Sequence, residues 1–332
     1  MGWLNFLAAR AARGALVLLI VLVVNFFLIR LAPGDPALVI AGEVQSDDPA
    51  YLAQLRTQLG LDQPLPQQLA RYLGGVLRGD LGHSARNHED VAVLIAERLP
   101  ATLLLLASAF VFSALAGIAL GALAAWAHHA RRVRWLDGAI FAAAMLLYAT
   151  PTFWLSLMLV IVFSVGLDWL PAFGMQAMAA GAATGAWAGA VDVAAHLVLP
   201  TVALGSLYMA VYVQLTRGAM LDVMHHDFVK TAHAKGVPPG RVMRVHVLRN
   251  ALLPVLSMAG VQLGQLAGGA ILIETVFAWP GIGRLMFDAV TQRDYPLLLG
   301  VFLTTAVLVV FFNLLTDLLY RLADPRIARQ GH

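Results

Sequence analysis

The stretch FVKTAHAKGVPPGRVMRVHVLRN, residues 228–250, holds Lys230 and Lys235, the only two lysines of the chain. It sits between two uncharged apolar blocks, and its reading decides the fold. Asp227 offers a side chain able to cap a helix running through Phe228, Val229, Ala232 and Lys235. Gly236 supplies a residue that ends a helix in a left-handed turn. Pro238 and Pro239 forbid continuation and open a second helix. Val242, Val245 and Leu248 give that second helix an apolar side, while Arg241, Arg244 and Arg249 charge it. The pattern predicts a short polar helix held by a rigid turn between two membrane helices. On this physics alone two readings stand. One is an amphipathic helix resting on headgroups, its lysines drawn to anionic lipid. The other is a docking knob for a partner, with Ala232 and Ala234 small enough to admit a close surface.

The bilayer is implied by composition. Of 332 residues, 60% are hydrophobic and 12% charged, against about 25% charge in soluble domains. A net charge of +3 is too small to point to nucleic acid. The absence of cysteine excludes disulfides, thiolate metal sites and Cys nucleophiles. A spanning helix needs about 20 apolar residues. Six blocks qualify: residues 14–29, 101–127, 138–166 (with Pro151 as a kink), 193–216, 250–273 and 296–316. The first block extends back past Arg13 and Arg10 by snorkelling. No small-x-small cleavage site follows it, so it is expected to remain as an uncleaved span.

A seventh candidate, residues 169–191, is rich in Ala and Gly and is rejected on charge. With six spans both termini share a side, and that side collects 14 of the 22 Lys+Arg, including Arg217 to Arg249. The positive-inside rule then places both termini and the 217–250 loop in the cytoplasm. A seventh span would put that basic loop outside. Residues 169–191 are therefore read as an external loop lying on the membrane surface. Residues 31–99 carry helix-like periods such as PAYLAQLRTQLG, broken by the turn-rich GLDQPLPQ and RGDLGHS. They are read as an external helical insertion within a single membrane domain spanning 1–332. No strand pattern is visible.

The resemblance lies in the opening stretch and in pieces spread along the chain. TAHAKGVPPGRVMRVHVLRNALLP resembles the cytoplasmic loop signature of ABC importer permeases. In chain order come RLAPGDP (30–36), LRTQLGLDQPL (55–65), GDLGHS (79–84), ERLPATL (97–103), ATPTFW (149–154), HLVLPTVAL (196–204), the loop, ETVFAWPGIG (274–283), RDYPL (293–297) and DPRI (324–327). Together they resemble the first (B-type) permease of the dipeptide/oligopeptide/nickel group. Asp90 stands where that group often has proline, and LPAFG (170–174) also departs from its pattern.

The resemblance implies an all-α polytopic membrane protein of type I ABC importer architecture. It implies a bacterial inner membrane location, a second homologous permease, two cytoplasmic ATPase subunits and an external substrate-binding protein. Residues 227–240 would then be the ATPase-coupling loop. Ala232, Ala234 and Gly236 would be tight-packing positions in an ATPase cleft, and Lys230, Lys235 and Arg241 peripheral charges that steer docking. Consistent with that division of labour, the chain has no Gly-x-x-x-x-Gly-Lys-[Ser/Thr] phosphate loop. The subunit is expected to be non-catalytic and to need no cofactor.

Within the expected fifth span, Gly260, Gly264 and Gly268 recur every four residues, a stripe that lets helices approach closely. Gln262 and Gln265 point away from it, toward either a translocation path or an interhelical hydrogen bond. Glu274 is expected to stabilise a turn. Asp317 is spaced to pair with Arg321. Adjacent histidines such as His128–His129 and His225–His226 point about 100° apart on a helix and chelate poorly, so no metal site is expected. His196 and Ser206 lack the Gly-x-Ser-x-Gly elbow of a serine hydrolase. The rival from another class is an ion-coupled secondary transporter, which needs mid-membrane charges that these spans hold few of. Nickel chelates and glutathione-like peptides stand beside di- and oligopeptides as substrates.

Overall fold

In the computed structural model of the chain, the described residues are 3–31, 49–84, 86–130, 133–177 and 185–323, almost all helical. RLAPGDP beyond Leu31, DPRI, Arg131, Arg132, Arg326, Arg329 and residues 178–184 lie outside them, as does the side chain of Arg321, and with it the expected Asp317–Arg321 pair.

The chain divides into two units. The first joins Met1–Thr102 to Pro280–Phe311. It begins with α1 (Trp3–Leu31), which runs back through Arg13 and Arg10 as expected. The 31–99 segment contributes α2 (Pro49–Leu59) and α3 (Leu65–Leu77). The turn before α3 ends at the extended Pro64, and Pro66 sits in the first helical turn, where its missing N–H would have no partner within the helix anyway. A minimal antiparallel hairpin follows, β1 (His83–Ser84) against β2 (Glu89–Asp90). The sequence gives no sign of it, because two-residue strands are too short to show alternation. The unit's core packs Val91, Leu94 and Ile95 from the start of α4 (Val91–His129) against Ile282, Leu285 and Ala289 of α10 (Ile282–Thr291). Leu297 and Val301 of α11 (Tyr295–Ala323) complete it.

Two of the quoted motifs meet in this unit. Ser84 of GDLGHS donates to the carboxylate of Asp294 of RDYPL, 2.5 Å away and 210 residues distant in sequence. The other Asp294 oxygen accepts from the Leu297 amide. Ser84 and Asp294 are both buried, so each satisfies a group that would otherwise lose its hydration uncompensated.

The second unit joins Leu103–Trp279 to the segment from Phe312. It holds the rest of α4, then α5 (Arg134–Ala149) and α6 (Thr152–Leu159), which continues with wider turns to Gly166. The helices α7 (Ala186–Met224), α8 (Asp227–Ala234) and α9 (Arg249–Val276) follow. α4 and α7 approach closely at three glycines. There Gly117 and Gly121 let α7's backbone come close: a Cβ at Gly121 would lie 2.7 Å from the Val213 carbonyl oxygen. Gly205 does the same for α4, with the Ala109 carbonyl oxygen at 3.0 Å.

Among the described residues four helices are long and apolar enough to cross a membrane, falling on Ala8–Leu28, Val91–His129, Trp187–Met224 and Tyr295–Leu318. They carry the expected first, second, fourth and sixth spans. The expected fifth lies in α9, whose 28 residues reach about 42 Å. The expected third span is corrected. Pro151 does not merely kink a helix over 138–166; α5 and α6 meet at 107°, and count at most as one broken span. Thr150 and Pro151 both adopt extended ψ angles, 128° and 129°. A residue preceding proline is pushed out of the helical region, and here two in succession leave it. Residues 169–177 form bends rather than a helix, and α7 starts at Ala186, inside the stretch expected as external loop.

Candidate coupling site

The segment between α7 and α9 is built by two stops and one buried stripe. After α7 ends, His226 takes an extended conformation and Asp227 becomes the first residue of α8. Asp227 was expected to cap this helix; instead no side chain caps it, and the Asp227 carboxylate accepts from Lys230 Nζ at 2.8 Å. A carboxylate in the first turn still meets the positive end of the helix. The ion pair itself is largely exposed and adds little stability.

The other end of α8 follows the expectation. Gly236 has φ +76°. Its amide donates to the His233 carbonyl at 2.9 Å, and the Val237 amide to the Ala232 carbonyl at 3.2 Å, which is the paired closure of a Schellman motif. Nothing lies within 4 Å of a Cβ built on Gly236. The glycine is therefore required by backbone conformation and not by crowding. Pro238 is extended, Pro239 begins the next helical turn, and a stretch of wider turns over Val242–Leu248 leads into α9.

The stripe is Val229 and Ala232, three residues apart and both buried. They pack with Ala125 of α4, Met220 of α7, Val242 and Val247 of the lead-in, and Ala251 of α9. Three membrane helices thus grip one side of α8. At about 100° per residue the opposite side carries Asp227, Lys230 and Ala234, and Phe228 stands on the flank, 42% exposed. Its ring centroid lies 5.7 Å from that of His226. The two alanines named from the sequence therefore face opposite ways. Ala232 is small because its own chain packs over it, whereas Ala234, Lys235, Gly236 and Arg241 are all exposed.

One charged cluster escaped the sequence reading. Asp137, at the start of α5, is 6% exposed. Arg217 of α7 donates to it twice, Nε to Oδ1 at 2.5 Å and an Nη to Oδ2 at 2.8 Å. His128 Nδ1 lies 2.7 Å from the same Oδ2. The Arg217 guanidinium also stands 5.6 Å from the Phe141 ring centroid. Sequence counted Arg217 only as a cytoplasmic charge. The available signal was a lone aspartate one turn after a run of arginines.

The remaining named residues are spread along α9. Gln262 is buried, and its Oε1 has no hydrogen-bond partner among the described residues, while Gln265 is exposed. A cleft of about 630 Å³ opens between α7 and α9, bordered by Gln214, Asp222, Asn250 and Met258; neither Gln262 nor Gln265 lines it. A Cβ on Gly264 would lie 2.7 Å from Asn313 Oδ1, whereas Gly268 faces open space. The surroundings of Gly260 lie outside the described residues. Glu274 is fully buried, and its carbonyl accepts from the Trp279 amide at 2.8 Å.

The helix α8 is thus gripped on one side by its own chain and exposed on the other. Comparison with known proteins identifies the family. Residues 117–329 match the binding-protein-dependent transport system inner membrane component, and residues 3–106 match the N-terminal part of the same type of component. The chain belongs to this permease family. The di/tripeptide transport system permease protein DppB of Pseudomonas aeruginosa is 40% identical, over 98% of this chain and 99% of that one. The dipeptide transport system permease proteins DppB of Escherichia coli K12 and Alkalihalophilus pseudofirmus are 39% and 38% identical. They cover 91% and 96% of this chain and 92% and 99% of their own lengths. The protein is thus a multi-pass inner-membrane permease subunit, a non-catalytic part of a binding-protein-dependent system. Family membership decides against the ion-coupled secondary transporter.

Proposed function

We propose that this chain is one of two homologous permeases of an ATP-driven importer for di- or oligopeptides. Residues 227–240 relay the closure of two cytoplasmic ATPase subunits into the membrane helices, and an external binding protein delivers the substrate. The termini and the 217–250 loop lie in the cytoplasm, and residues 31–99 form an external insertion of one permease domain. Peptide is favoured over nickel chelates because the relatives are named as dipeptide and di/tripeptide permeases. On α9, Gln265 is exposed and so better placed than Gln262 to line a path.

One observation carries the coupling reading. The eight-residue helix α8 is anchored through Val229 and Ala232 to α4, α7 and α9, and it presents Phe228, Lys230 and Ala234 outward. A push on that face is delivered to three membrane helices as a rigid-body displacement. A helix merely resting on lipid would turn its apolar residues toward the bilayer instead of into its own chain.

Substitution of Gly236 tests it. A side chain at φ +76° costs about 1–2 kcal/mol of backbone strain. In Gly236→Leu the side chain also intrudes on whatever sits against the turn. Uptake of a radiolabelled dipeptide in cells should fall, with ATP hydrolysis lost or uncoupled, and Gly236→Asn should be milder because Asn tolerates this conformation. Normal uptake in Gly236→Leu sinks the coupling reading. Uptake competed by chelated nickel and not by unlabelled dipeptides sinks the peptide reading alone.

A further inference from the structure

Resting on the coupling reading, we infer that Asp137 is a positioning residue: clamped by Arg217 and His128, it locks the start of α5 to the two helices that receive α8, so that all three move together. The argument is one of spacing. Ala125 and His128 are three residues apart on α4; Ala125 packs in the cluster that holds α8, and His128 reaches Asp137. Met220 and Arg217 are three residues apart on α7; Met220 packs in that same cluster, and Arg217 grips Asp137 through both carboxylate oxygens. Each helix therefore presents neighbouring side chains, within one turn, to α8 and to Asp137.

Apolar contacts among Val229, Ala232, Ala125 and Met220 hold α8 but permit sliding, since dispersion has no preferred direction. A bidentate Arg–carboxylate pair does have one. Its two parallel hydrogen bonds fix the angle between α5 and α7 as well as their distance. Burial adds force to the constraint, because breaking the pair leaves a charge with no water to receive it. Without this clamp, α5 is held beside α7 by apolar packing alone, Ala144 against Met209, Ala210 and Val213, so that α7 can slide beneath α8 while α5 lags. The ATPase subunits would then close without carrying α5 along with α4 and α7.

The test uses the assembled importer in nanodiscs: both permeases, the ATPase subunits, and the binding protein purified with whatever ligand it carries. The reading is the ratio of ATP hydrolysis with and without binding protein, which does not depend on knowing the substrate. For Asp137→Asn, which keeps side-chain volume, the ratio should fall about tenfold, a size common for coupling between sites. A wild-type ratio in Asp137→Asn overturns the inference. If that variant does not assemble, Arg217→Lys decides: it keeps the charge but loses the planar fork. A reduced ratio there supports the clamp, and an unchanged one overturns it. Gly236→Leu in the same assay separates the two claims. A normal ratio there removes the coupling loop itself, whereas a defective Gly236→Leu beside a normal Asp137→Asn removes only the clamp.

Discussion

Glycines at intervals of four occur in two helices of the second unit, and they are used differently. In α4, Gly117 and Gly121 lie against the backbone of α7; a Cβ at Gly117 would meet Tyr212 and stand 2.8 Å from the Met209 carbonyl oxygen. In α9 the stripe read from the sequence is uneven. Gly264 is approached only by the end of the Asn313 side chain, and Gly268 by nothing. The contrast shows that spacing alone says which face of a helix is smooth, not whether another helix lies on it. Where backbone meets backbone, the small residue is obligatory. Where a flexible side chain or open space lies opposite, it is an allowance that something else must explain.

The largest effect is therefore expected in α4. Leucine at Gly121 places a side chain where Val213 carbonyl oxygen and Thr216 Cβ already stand at 2.7 and 2.8 Å. Backbone cannot swing aside as a side chain does, so α4 and α7 must separate along the seam. Overpacking of this kind costs about 1–3 kcal/mol, occasionally more. Thermal unfolding of the purified subunit in detergent should show the loss, and uptake should fall with the amount of folded protein. A Gly121→Leu subunit that melts like wild type would mean the seam is looser than its geometry says.

How much of this was legible in the sequence follows the range of the interaction concerned. The spans were readable because a long uncharged run has no aqueous solution. The end of α8 was readable because Gly236, Pro238 and Pro239 act through their own backbones. The partners of Asp137, Arg217, Ser84 and Asp294 were not readable, since each pair joins residues 80 or 210 positions apart. Proline marks the boundary between the two cases. Pro100, Pro200 and Pro254 sit inside continuous helices, whereas Pro151 stands at a 107° bend. The missing donor is the same in all four, but only at Pro151 do the proline and the residue before it both leave the helical region, with ψ 129° and 128°. Ala232 and Ala234 teach the same lesson at short range. Composition made both small, but only the packing of Val229 and Met220 shows which one is covered.

Smaller effects separate the two ends of the α9 stripe. Gly264→Ala brings a Cβ to 2.7 Å from Asn313 Oδ1. The contact is with the tip of a side chain, so Asn313 can change rotamer at a cost of about 0.5–1.5 kcal/mol. The double variant Gly264→Ala/Asn313→Ala should recover most of that loss, since the two residues are in contact and their effects should not add. A double variant no better than the single one would show that the crowding comes from elsewhere.

The smallest effect belongs to Gly268, and it is the most informative about the partner. Its Cβ position is open in the lone chain, and alanine is the better helix former by about 1 kcal/mol. In the purified subunit Gly268→Ala should leave the melting temperature unchanged or raise it slightly. If a second permease lies against this part of α9, the same methyl group would stand in its way, and the assembled importer would lose stability while the subunit alone does not. That opposite sign in two preparations of one variant cannot come from helix propensity, which acts equally in both. Equal, neutral melting in subunit and complex would instead place Gly268 against lipid or the open path, and leave the close approach of helices in this unit to Gly117, Gly121 and Gly205.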